Sequence, residues 1–254
     1  MTSTSYLPSE NIVECENLTV IRDSKEILCE ASCCVPRHSL TFLVGENGSG
    51  KTTLVKTILG LLPKLAGNIS ISSEIQQQSK AITGYVPQSV NFPKQLQMTV
   101  TECLKYTSNI SRKELSTALD RVDFPHSHAN TPITQLSGGQ QQKLLLAAEL
   151  ARDPEILFLD EPLSNVDHAG EKHILDVILE IKNSGVTIVI ITHDWQTVSS
   201  YADHVICLNK NFICDQPNSC VCKNSISKSK IRQIQKLTPD PTDTHDGYCY
   251  VDNI

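Results

Sequence analysis

The first third of the chain alternates apolar and polar residues or runs apolar in short stretches, the patterns of half-buried and fully buried strands. Asn11–Ile21 and Glu26–Val35 predict two strands joined by the polar turn Arg22-Asp23-Ser24-Lys25, hence an antiparallel sheet at the N-terminus. Ser39–Val44 is a continuous apolar strand that runs straight into Gly45. The period then changes: Leu54, Ile58, Leu61 and Leu62 predict a helix over Lys51–Leu62, stopped by Pro63. From Pro87 to Pro132 the strand character fades, and Val100–Tyr106 and Ser111–Val122 predict two short helices, with the breaker-rich Phe124-Pro125-His126-Ser127 after them. Strand and helix alternate beyond that point: Ser137–Arg152 as helix, Glu155–Leu159 as strand, Asp167–Asn183 as helix, Val186–Thr192 as strand. Such alternation implies a parallel sheet with crossover helices, so an α/β fold is expected.

Composition narrows the class. A chain of 254 residues can bury one α/β core, alone or with a small inserted subdomain. A net charge of -6 and the lack of any basic run exclude a protein that grips nucleic acid by its phosphates. The start, Met1 to Pro8, has neither a basic nor an apolar region of the kind that directs export, and no apolar run approaches the roughly 20 residues that span a bilayer. The ten cysteines are therefore expected in a reducing compartment. Cys15, Cys29, Cys33, Cys34 and Cys207 lie in apolar segments, where a free thiol packs as a small hydrophobe. The residues of the polar tail, 216–254, offer Cys220, Cys222, His245 and Cys249, with Cys214 just before them, but Cys-x5-Cys and Cys-x-Cys are not the spacings of a structural zinc site.

Three motifs carry chemistry. Gly45-Glu46-Asn47-Gly48-Ser49-Gly50-Lys51-Thr52, followed by Thr53, matches G-x-x-x-x-G-K-[ST] and stands between a strand and a helix. Its glycines let backbone N–H groups turn toward a phosphate chain, the helix adds its positive end, Lys51 reaches the outer phosphates, and the Thr52 hydroxyl holds Mg²⁺. Ile156-Leu157-Phe158-Leu159 is an apolar strand that delivers Asp160 and Glu161 at its C-terminal end, one carboxylate for Mg²⁺ and one to take a proton from water. Between these two, in Leu136-Ser137-Gly138-Gly139-Gln140, Ser137 is a natural N-cap and the helix behind it is a second place for an anion.

In this order the three motifs resemble the ATPase subunits of ATP-binding-cassette (ABC) machines, over roughly Asn11–Cys214. The resemblance implies a P-loop NTPase (RecA-like) core, residues 10–87 and 153–215, and a helical subdomain at 88–152 within an ATPase domain of residues 1–215. It implies ATP and Mg²⁺ as ligands, and a homodimer in the ATP-bound state, because in that family the signature Ser137–Gln140 completes the site of the neighbouring copy. Gln88, in Gly84-Tyr85-Val86-Pro87-Gln88, matches a glutamine that contacts Mg²⁺ and the attacking water. His193 matches the histidine that bonds the γ-phosphate, and Ser164-Asn165-Val166-Asp167 matches a loop that communicates across the dimer. Where relatives place an aromatic residue to stack on adenine, this chain has Arg22, whose guanidinium plane can also stack on a base. The short helical segment resembles importers, as does the absence of a Gly-Glu-rich stretch before the signature. The segments Gly84–Gln88 and Val205–Lys210 are most similar to the ATPases of zinc, manganese and iron uptake. The implied partners are integral membrane permease subunits and, indirectly, an extracytoplasmic solute-binding protein, with the chain peripheral on the cytoplasmic face of the membrane. The alternative within the superfamily is a soluble ATPase that moves no solute, such as one of iron-sulfur cluster assembly.

Overall fold

The N-terminal alternation folds as two long strands, β1 (Asn11–Arg22) and β2 (Lys25–Pro36), paired antiparallel and closed by a two-residue turn. The computed structural model describes residues 10–73, 82–90, 92–93, 95–108, 112–164, 168–209 and 212–213. At the turn Asp23 and Ser24 both have positive φ (49° and 61°), the backbone that matches the natural twist of a hairpin. Two further left-handed residues, Asn17 (φ 49°) and Glu30 (φ 45°), sit where the register slips between Cys15/Cys33, Leu18/Ala31 and Val20/Leu28. Each extra residue re-aims the strand, so that Leu18, Val20, Leu28 and Ala31 all face inward.

The bulges correct one expectation. Cys29 is turned out to solvent beside Glu30, whereas Cys15 and Cys33 are buried and Cys207 is half-buried. Cys34 is buried but disulfide-bonded, not a free thiol.

β3 (Leu40–Val44) is buried at every position, as a central parallel strand must be. The helix behind it, α1 (Lys51–Ile58), ends before the expected Leu62. Gly60 adopts φ 71°, its N–H donates to Thr57 O (3.0 Å), and the Leu61 N–H donates to Lys56 O (2.8 Å). That closure satisfies the last carbonyls ahead of Pro63 and leaves Leu61 exposed. β4 (Ala66–Ile71) then joins β1 as the third strand of the antiparallel sheet, in the order β2-β1-β4. Arg37 locks this sheet to the larger one. Its guanidinium, buried, meets Glu155 at 3.4 Å and donates to the Ser72 carbonyl (2.6 Å) and hydroxyl (2.7 Å).

The larger sheet comprises β5 (Thr83–Val86), β6 (Ile156–Asp160), β7 (Thr187–Thr192), β3, β8 (His204–Asn209) and β9 (Phe212–Ile213), in the order β5-β6-β7-β3-β8-β9. All neighbours are parallel except β8 and β9. Between β5 and β6 come α2 (Val100–Ser108), α3 (Arg112–Asp120) and α4 (Gly138–Leu150). α2 starts in a reciprocal cap, the Thr99 N–H on the Glu102 carboxylate (2.8 Å) and the Glu102 N–H on Thr99 Oγ1 (3.3 Å). Val100, Cys103, Leu104, Leu115, Leu119, Leu144 and Ala147 pack with one face of the parallel sheet as a single apolar cluster. A second cluster fills the space between the two sheets, from Val13 and Leu28 to Phe158 and Ile191. α5 (His168–Asn183) and α6 (Trp195–Tyr201) complete the crossovers. Asn165, Val166, Asp167 and the tail cysteines and histidine named above lie outside the described residues.

Candidate nucleotide site

The strands β3, β7, β6 and β5 end at one level, Val44 opposite Thr192, Asp160 opposite Ile191, and Val86 opposite Leu159. This row of C-terminal ends is where a parallel sheet gathers ligand chemistry. From it leave the phosphate loop, the two carboxylates, Gln88 and His193.

The loop is shaped by its glycines. A Cβ on Gly45 would stand 2.0 Å from the carbonyl oxygen of Leu208 in β8. Gly50, at φ 103°, is the N-cap of α1, and Ile27 and Leu28 of the hairpin press against it. No side chain caps α1, so the N–H groups of its first turn, Lys51 to Thr53, remain for an anion. The turn Glu46-Asn47-Gly48-Ser49 is closed by the Ser49 N–H on Glu46 O (3.1 Å). Among the described residues the buried Ser49 hydroxyl has no hydrogen-bond partner. Lys51 is buried and folds back on the loop, Nζ donating to Gly45 O (2.8 Å) and Glu46 O (2.9 Å). Burial pulls the pKa of its ammonium down, and Glu161 and Asp160 act against that. A cation held on carbonyls over a cradle of N–H groups is prepared for a phosphate chain.

The two carboxylates differ in surroundings. Asp160 is buried, and its Oδ2 accepts from Thr52 Oγ1 (2.9 Å) and from the Tyr85 hydroxyl (3.3 Å). Burial raises its pKa, opposed by those two hydrogen bonds. Burial, with Asp160 beside it, raises the Tyr85 phenol above its usual range, so it stays a donor. Glu161 is left-handed (φ 46°), a strained conformation for a residue with a side chain. The strain is held by Glu161 N–H on Ile191 O (2.9 Å) and by Ser164 N–H and Oγ on Glu161 O (3.2 and 3.0 Å). Its carboxylate is gripped from both sides, Gln88 Nε2 donating to Oε2 at 3.1 Å and His193 Nδ1 standing 3.2 Å from Oε1. A cavity of about 190 Å³ opens beside them, lined by Glu161, Ser164, Thr192, His193 and Asp194.

Arg22 projects from the hairpin end, largely exposed, 3.8 Å from Asp23. Ser137 and Gln140 form the N-cap of α4 reciprocally, the Gln140 N–H on Ser137 Oγ at 3.3 Å and the Ser137 N–H on Gln140 Oε1 at 3.0 Å. Among the described residues their hydrogen bonds close on this cap and none reaches the phosphate loop; Ser137 and Gly138 are exposed. Sequence reasoning missed Tyr85 and Glu149. The Glu149 carboxylate, on the last turn of α4, accepts from the Tyr85 backbone, and burial raises its pKa. The available signal was a phenol one residue beyond a glycine on a short strand that leads to Gln88.

Comparison with known proteins places the chain in a family. Residues 28–164 match the family model described as "ABC transporter". The manganese transport system ATP-binding protein MntB of Bacillus subtilis is 37% identical over 82% of this chain and 88% of its own. The zinc import ATP-binding protein ZnuC of Cereibacter sphaeroides is 36% identical over 80% of this chain and 82% of its own. The structure of cbiO1 from Clostridium perfringens, part of the ABC transporter complex cbiONQ, superposes with a TM-score of 0.71 at 25% identity, covering 90% of this chain and 96% of that one. The chain therefore belongs to the ABC transporter family, as an ATPase subunit.

Proposed function

We propose that this chain is the ATP-hydrolysing subunit of an importer for a transition-metal ion, working on the cytoplasmic face of a membrane against separate permease subunits. The grip of Gln88 and His193 on Glu161, one residue past Asp160 and beside the Lys51 loop, is the observation that carries the hydrolytic part. Gly45 to Thr53 cradle the phosphates, and Lys51 leaves its carbonyls for the outer two. Glu161, its two oxygens anchored, accepts the proton of the attacking water, while His193 presents its free ring nitrogen to the γ-phosphate. Arg22 stacks on the base.

The donor set fits Mg²⁺: a hydroxyl and a carboxylate 2.9 Å apart, hard oxygens both, and Gln88 carries an amide oxygen of the same kind. Thr52, Asp160 and Gln88 would hold the ion, which when bound neutralises charge on the phosphate oxygens. Ser137 and Gly138, exposed at the start of α4, and the half-buried Gly139 and Gln140 beside them face the ATP of a second copy, so the working form is a homodimer with two shared sites. The core segments 10–87 and 153–215 carry the phosphate loop and carboxylates, and the helical segment 88–152 carries the signature.

The metal cargo rests on the names of the relatives, a manganese transport and a zinc import subunit. The same names leave the iron-sulfur assembly alternative without support. No described helix is long and apolar enough to cross a membrane, in keeping with a separate permease that a solute-binding protein would feed. Expression with its neighbouring genes, detergent extraction and reconstitution test the proposal. The chain should co-purify with a permease, and vesicles holding both should take up Mn²⁺ or Zn²⁺ with ATP. Recovery with soluble partners alone would overturn it.

A further inference from the structure

We infer that Tyr85 is a positioning residue for the metal-binding carboxylate, its hydroxyl setting the plane of Asp160. The inference rests on the reading of Asp160 as a metal ligand given above. Tyr85 pairs directly with Phe158 in the parallel ladder between β5 and β6. Directly opposed residues share a sheet face, and so do positions two apart along one strand, so Tyr85, Phe158 and Asp160 lie on one face. The Tyr85 ring packs into the apolar cluster between the sheets, with Phe158. Only its oxygen is polar, and it reaches Asp160 Oδ2 at 3.3 Å.

Two features hold the phenol there. Its backbone, on the edge strand of the sheet, is bonded by the Glu149 carboxylate from the last turn of α4. That approach needs Gly84, where a Cβ would lie 3.2 Å from Glu149 Oε2 and 2.9 Å from Leu157 Cδ1. Tyr85 is thus fixed at its main chain and at its ring before its hydroxyl meets Asp160. Thr52 and Tyr85 then converge on the same oxygen, Oδ2, from opposite sources: one from the helix that holds the phosphates, the other from the strand that leads to Gln88. Two donors on one carboxylate oxygen fix the plane of the group and leave its second oxygen to the metal and its waters. Thr52 alone would leave the carboxyl free to rotate about that single contact. The phenol therefore acts on the metal through Asp160, not by touching it.

The test compares the full-length wild type with Tyr85→Phe, which keeps the ring in its apolar cluster, and with Asp160→Asn. Binding of a fluorescent ATP analogue is titrated with Mg²⁺ and again with a chelator, and the Mg²⁺ concentration for half-maximal turnover is measured separately. Tyr85→Phe should leave chelated-nucleotide affinity unchanged, cut the gain in affinity that Mg²⁺ confers by roughly three- to tenfold, and raise the half-maximal Mg²⁺ by a similar factor. Turnover at saturating Mg²⁺ should stay near that of the wild type. An equal loss of affinity with and without Mg²⁺ would make Tyr85 merely structural. If Asp160→Asn loses the metal effect while Tyr85→Phe matches the wild type, the inference about Tyr85 fails. If Asp160→Asn keeps the metal effect, the assignment of Asp160 fails first.

Discussion

The proposed site gives Ser137 two separable duties, and substitution divides them. In one copy it caps α4, with a 3.3 Å bond from the Gln140 N–H that is long for its kind and a firmer 3.0 Å return bond. Ser137→Ala removes the first and leaves the Gln140 side chain to hold the second, so the loss sits at or below about 1 kcal/mol, typical for a cap. For a fold of this size that lowers the melting temperature by about 2–4 °C. In the proposed dimer the same hydroxyl would face a phosphate, and a hydrogen bond to a charged group is worth about 1.5–3 kcal/mol. Turnover should therefore fall roughly tenfold to a hundredfold, far beyond what the small loss of stability explains. Ser137→Asp makes the division sharper. A carboxylate caps as well as serine and suits the positive end of the helix, so stability is kept. Set against the γ-phosphate it repels, so turnover is abolished while nucleotide binding by single copies is unchanged. Calorimetry, nucleotide titration and phosphate release measure the three quantities. An Asp variant that hydrolyses ATP as the wild type does would refute a role for Ser137 at a phosphate.

Lys51→Ala should lose nucleotide binding altogether, since the buried ammonium is the cation the cradle offers; titration showing normal affinity would remove the loop from its assigned task. Glu149→Gln keeps an acceptor for the Tyr85 backbone but removes a carboxylate whose pKa burial raises above the ordinary 4.5. Between those two values the folded state holds more protons than the unfolded one, so the wild type loses stability as pH rises through that window. The variant does not lose it, so its melting temperature should match the wild type in acid and exceed it increasingly toward neutral pH. A constant or reversed difference would contradict the burial argument.

The grouping of the candidate site residues was legible from order alone, because a strand, a glycine loop and a helix, or an apolar run ending in two carboxylates, leave few geometries open. Gly45 and Gly50 show why: a Cβ at Gly45 would run into the Leu208 carbonyl, and Gly50 stands at φ 103°, a backbone that a side chain strains. The helix after the loop was overextended because Leu61 and Leu62 continue the apolar period, while one left-handed glycine at position 60 ends it. The outward turn of Cys29 was hidden because a single bulge residue, Glu30, reverses which side of β2 faces the core. β4 and β5 were not foreseen, since Ala66, Gly67, Asn68 and Gly84 are weak strand formers whose places are set by tertiary pairing. Tyr85 and Glu149 were missed for a related reason. Their link joins positions far apart in sequence across a strand edge, and no local pattern records it.

The central claim is that one copy holds two half-sites and that ATP joins them. Light scattering on Glu161→Gln, with bound nucleotide counted in the same fraction, tests it directly, because that change should spare binding while removing the proposed proton acceptor. With Mg²⁺ and ATP the variant should run as a dimer carrying two nucleotides, and it should run as a monomer without ATP. Adding Ser137→Asp to the same chain should hold it monomeric with one nucleotide bound. A Glu161→Gln chain that binds ATP and stays monomeric, or a double variant that still pairs, would contradict the account.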